Sequence, residues 1–131
     1  MTTKVFSEWL IGLALHERAR FLIRVGSQLT IYAREYSISG SNSENDALNH
    51  KRLLGINELQ HKLLGQAGLY LDGEHDKIYP DHVFSEIVFQ TAEHYGITSD
   101  LTTAIRYAQQ KTQKPGAEAV EQNPQSTTDI S

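Results

Sequence analysis

Between Ser43 and Gly73 the chain reads SENDALNHKRLLGINELQHKLLGQAGLYLDG, the longest uninterrupted helical pattern in the sequence. Leu53, Ile56, Leu59, Leu63, Ala67 and Tyr70 recur at the spacing of one face of an α-helix. Ser43 is placed to cap its start, with Asp46 three residues on as a short-armed capping-box partner. Gly73 stands where a left-handed residue ends helices. A single apolar stripe on so long a helix must be covered by neighbouring elements, which points to a helical bundle.

The remaining chain supplies those neighbours. Ser7 is placed to cap a first helix, with Phe6 and Ile11 as a hydrophobic staple. Phe6, Trp9, Leu10 and Leu13 recur at i, i+3, i+4 and i+7. A second stripe of Leu15, Leu22, Val25, Leu29, Tyr32 and Tyr36 lies roughly 130° around the helix from the first, at 100° per residue. Either the chain breaks near residues 14–17, or one long helix presents two faces; the stripe runs to about Ser39, with Gly40 as its stop. Pro80 suits the first turn of a fourth helix carrying Val83, Phe84, Ile87, Val88, Thr91 and Tyr95, with Gly96 at its end. Thr98 is placed to cap a fifth, with Asp100 in its first turn and Leu101, Ala104, Ile105 and Ala108 as its stripe. From about Thr112 the pattern stops, and Pro115, Gly116 and Pro124 sit among Gln, Glu, Ser and Thr. Such a segment buries too little apolar surface to offset its ordering entropy, so a disordered tail is expected. The fold class expected is all-α: a small up-and-down bundle of four to five helices over residues 1–111, with a tail over 112–131. The second, third and fourth helices should form its core, with the first and fifth across its ends or sides.

Composition bounds the function. A chain of 131 residues without cysteine excludes disulfides, thiolate metal sites and a cysteine nucleophile. No apolar run approaches the roughly 20 residues that cross a bilayer, and no secretory cleavage pattern follows Lys4. A cytoplasmic protein without membrane partners is expected. The formal charge of −4 argues against general nucleic-acid binding. No nucleophile elbow, phosphate-cradling loop or dinucleotide fingerprint is present, so no catalytic residue and no cofactor is assigned.

Several residues stand apart from the core stripes. Glu58 and His61 form the Glu-x-x-His pair used twice over in di-iron bundles, but here it occurs once and roughly 180° from the apolar stripe. It therefore faces solvent or a partner, and no metal is assigned to it. The same outer face carries His50, Asn57, His61, Gly65 and Gly68, where small residues would let another backbone approach. Phe89 adds aromatic surface off the main stripe of the fourth helix, and Trp9 lies near the N-terminus, where frayed segments often dock only on a partner. These seven residues are the expected partner-binding set, and protein–protein interaction, with a homodimer as one form, is the function expected. One alternative is metal or small-molecule binding by the polar loop over 72–82, through Asp72, His75, Asp76, Asp81 and His82. A second is nucleic-acid association through Arg20, Arg24 and Arg34.

Overall fold

A computed structural model describes residues 2–38 and 43–112. Its elements are α1 (Thr3–Ile11), α2 (Leu15–Ile38), α3 (Ser43–Asp72), a 3-10 turn (His75–Lys77), α4 (Asp81–His94) and α5 (Thr98–Lys111). The described residues form an all-α bundle. No helix among them is long and apolar enough to cross a membrane.

The frame is an antiparallel hairpin of α2 and α3. Gln60 Nε2 donates to Gly26 O at 2.8 Å and to Thr30 Oγ1 at 2.9 Å near its middle. The Arg52 guanidinium lies 5.3 Å from the Tyr36 ring towards one end, and that of Arg18 lies 5.9 Å from the Tyr70 ring towards the other. Helix α4 runs back along α3, from Tyr70 at its start to Gly55 at its end. Helix α5 runs back along α2, from Tyr36, whose hydroxyl donates to Asp100 Oδ2 at 2.5 Å, to Arg24. Helices α2, α3, α4 and α5 therefore alternate in direction, and each packs on the next, with α5 closing on α2. Helix α1 lies against α4, with Phe6 seated between Phe21 of α2 and Phe89 of α4.

The expected stripes form one core. Phe6, Leu10 and Leu13, then Leu22, Val25 and Leu29, then Ile56, Leu59, Leu63, Ala67 and Tyr70 are buried, and so are Phe84 and Val88. All four stripe residues of α5 are buried, so α5 is a full member of the bundle rather than an element across its side. Leu15 is an exception: it begins α2 on the exposed side.

Helix ends differ from expectation in four places. Helix α1 starts earlier, because Thr2 Oγ1 accepts from Val5 N–H at 3.2 Å, and Ser7 is buried mid-helix instead of capping. The break after α1 falls at Gly12, Leu13 and Ala14, where the Arg18 guanidinium collects two carbonyls, Leu13 O at 3.0 Å and Ile11 O at 3.3 Å. Pro80 precedes α4 as its cap residue rather than entering its first turn, and Ile97 rather than Thr98 occupies the cap of α5. Gly73 and Gly96, by contrast, adopt the left-handed φ of 73° and 71° that the stop positions required. The stop at Gly40 and the tail from residue 113 lie outside the described residues, as does the side chain with which Ser43 would cap α3. Thr112, one residue past the expected boundary of the domain, is buried, and its Oγ1 accepts from Arg24 at 2.8 Å.

Candidate interaction surface

Helix α3 is two-sided. Its inner stripe closes the core, while His50, Asn57, His61 and Gly65 are exposed on the opposite side and Gly68 is half-buried there. Three leucines that the stripe did not use share this outward side: Leu54 is 48% exposed, Leu64 48% and Leu71 60%. A Cβ built on Gly65 or Gly68 meets no atom within 4 Å among the described residues, so neither glycine serves a close approach between the described helices. Gly55 does. A Cβ there would run into Tyr95 Cβ and come within 2.7 Å of its Cγ and 3.0 Å of Ile97 Cδ1.

That contact closes one end of a shallow groove between α3 and α4. Leu54, Asn57, Glu58, His61, Lys62 and Tyr95 line its first half. Beyond His61 and Lys62 the groove continues over Gly65, Leu69, Phe84 and Ile87 to Tyr79. Glu58 is held by Lys62 at 3.3 Å, one turn on, so the Glu-x-x-His pair presents an imidazole next to a carboxylate that already has a cation.

A half-buried polar network fixes the far end. The Gln66 side chain treats the backbone of Tyr79 as a strand partner would, donating to its carbonyl at 2.9 Å and accepting from its N–H at 3.3 Å. Asp81 accepts from Tyr70 Oη at 2.9 Å and from Arg18 Nη1 at 3.1 Å. Burial first, and then the charge of Asp81 beside it, raise the Tyr70 hydroxyl above the usual phenol range. The network ties the α1–α2 connection, α2, α3 and the start of α4 together, and so holds Tyr79 as the wall of the groove.

The other expected sites are placed as follows. Trp9 and Phe89 are partly buried against the core, Trp9 on Phe21 at 5.9 Å and Phe89 on Phe6 at 5.8 Å, so α1 covers Phe89 from within the chain. The polar loop does not converge. Asp81 turns inward to Arg18, whereas Asp72, His75, Asp76 and His82 remain at the surface. Among the described residues no three His, Asp or Glu side chains stand together as a cation would need. The arginines separate as well. Arg24 donates to Lys111 O at 2.8 Å and finishes α5, while Arg20, paired with Glu17 at 3.7 Å, and Arg34 are exposed.

Sequence reasoning missed Gly55, the network around Asp81 and the outward leucines. The last had a signal: α3 contains more leucine than one stripe can hold, with Leu54 opposite Ile56, Leu59 and Leu63 and with Leu64 and Leu71 on the flank between. The network had none, since its residues lie far apart in the chain. No family model, curated protein or solved structure matches the chain.

Proposed function

We propose that the protein acts by binding another protein chain, with the outward face of α3 and the adjoining groove as its contact surface. The observation that carries this reading is the coincidence on one helix face of three exposed leucines with two glycines that have open space above them. Apolar side chains in line offer area to bury, and the glycines allow a second backbone to come close. The imidazoles of His50 and His61 and the amide of Asn57 add hydrogen-bonding groups to the same exposed side.

The test compares capture from the native cell by the wild-type chain, by Leu64→Glu and by Tyr107→Glu, the last an exposed control on α5. A protein retained by wild type and by the control but lost with Leu64→Glu is the expected result. Identical capture by all three, with all three equally folded by circular dichroism, would remove the α3 face from the function.

A further inference from the structure

The outward face of α3 has a spacing that specifies more than a patch. Leu54, Asn57, His61, Leu64, Gly68 and Leu71 follow one another at steps of three, four, three, four and three. Steps that average 3.5 residues keep one seam facing a straight neighbour, as in paired helices that wind around each other. All six are on the solvent side of the bundle, five of them exposed and Gly68 half-buried. The series is also a palindrome about the midpoint between Lys62 and Leu63. A second α3 laid antiparallel about that point sets Leu54 against Leu71, Asn57 against Gly68 and His61 against Leu64, and two-fold symmetry makes each pair occur twice.

Building on the protein-binding reading above, we infer that the occupant of this face is the α3 helix of a second copy of the chain, antiparallel and in that register. The chemistry of each level fits. Leu54 meets Leu71, so the two most terminal apolar side chains of the seam are paired rather than left in water. Asn57 lies over Gly68, where a Cβ has nothing within 4 Å and a larger opposing side chain has room. His61 packs beside Leu64 on either side of the axis. The contact runs about 26 Å from Leu54 to Leu71, at 1.5 Å per residue.

Charge selects this register over its neighbours. Lys51, Glu58, Gly65 and Asp72 recur every seven residues along one edge of the seam. In the palindromic register Lys51 of each copy meets Asp72 of the other, and Glu58 meets Gly65. A partner slid by seven residues in one direction sets Glu58 against its own counterpart. Sliding it by seven in the other sets Glu58 against Asp72. Of these three registers only the central one puts opposite charges together and keeps like charges apart, the device by which paired helices fix their alignment.

The test uses the purified full chain, whose lack of cysteine makes disulfide mapping clean. Sedimentation equilibrium up to roughly millimolar protein, a concentration at which even weak pairs assemble, should show a monomer–dimer equilibrium. Leu54→Glu or Leu71→Glu should raise its dissociation constant by more than about tenfold, because each change exposes or charges two levels of the seam. Lys51→Glu should weaken it several-fold, with recovery in the double variant Lys51→Glu/Asp72→Lys. Air oxidation of a mixture of Leu54→Cys and Leu71→Cys chains should give the mixed disulfide in preference to either symmetric one. A monomer at every concentration, or a dimer that forms Leu54→Cys pairs with themselves, would overturn the inference. Either result leaves the binding of a different protein to this face to be judged by the capture comparison, so the two failures are distinct. All four exposed positions lie off the core, and unchanged thermal melting checks that the variants fold.

Discussion

Helix α3 contains three glycines, and their replacement by alanine should move stability in opposite directions. At Gly55 the new methyl would press on Tyr95 Cβ and lie 2.7 Å from Cγ and 3.0 Å from Ile97 Cδ1. Tyr95 Cβ is bonded to the main chain, so no rotamer change relieves the contact, and the end of α4 has to move away from α3. Overpacking of this kind costs about 1–3 kcal/mol, and an inflexible neighbour places the cost in the upper part of that range. Alanine returns about 1 kcal/mol of helix propensity. The net expectation for Gly55→Ala is a loss of about 1–2 kcal/mol, which lowers Tm by about 5–15 °C for a domain of this size. At Gly65 and Gly68 nothing lies within 4 Å, so the same replacement keeps the propensity gain without the steric cost. Each should raise stability by about 0.5–1 kcal/mol. Thermal melts and urea unfolding of the three single variants, followed by circular dichroism, check the signs. A Gly55→Ala chain as stable as wild type, or a common fall in all three, would refute the assignment of Gly55 as the point where α4 closes on α3.

Two further predictions concern the polar contacts. Asp81→Asn removes the negative partner of Arg18, in a pair whose side chains are 18% and 12% exposed, and should cost about 1–3 kcal/mol in urea unfolding; a midpoint indistinguishable from wild type would mean that water replaces the carboxylate without loss. Burial, followed by the hydrogen bond to Asp100 and its charge, pushes the Tyr36 hydroxyl up to about 12. Its folded value exceeds the unfolded phenol value of about 10, so its contribution to stability is complete below pH 10 and is lost as pH rises from about 10 to 12. Ultraviolet titration of tyrosinate should show a late ionisation that disappears in Tyr36→Phe, and that variant should lose stability less steeply over the same interval.

How much of this was legible depends on the range of the interactions. The stripes of α3 and α5 follow from local periodicity, and their residues are buried as periodicity implies, apart from Leu53, which is half-buried. The two left-handed stops were equally local, because only glycine occupies that conformation without strain. The start of α1 was misplaced since Thr2 and Ser7 are both good caps, and the choice between them is made by packing: Ser7 is drawn into the interface of α1 with the core. The break at Gly12 was obscured because its backbone is right-handed and the turn depends on Arg18, a side chain six residues away. Arg18, Asp81, Tyr70 and Gln66 gave no sequence sign of meeting. Their assembly depends on the alignment of three helices, which hydrophobic spacing leaves undetermined by a turn or more.

The face that was read most directly, the outer side of α3, is also the one that folding explains least. Gly65 and Gly68 each weaken the helix by up to about 1 kcal/mol relative to alanine, and neither makes room for a neighbour among the described residues. Gly55 has the same intrinsic cost, but there α4 uses the space. Leu54, Leu64 and Leu71 likewise keep much of their surface in water, while comparable side chains on the inner stripe are fully covered. Two unfavourable features therefore fall on the same side of the same helix. A neighbouring backbone at that side accounts for both at once, since it needs the glycines for clearance and the leucines for area. Independent surface variation would have to place glycine and leucine on one side of the helix, with an edge whose charges suit the alignment that sets Leu54 against Leu71.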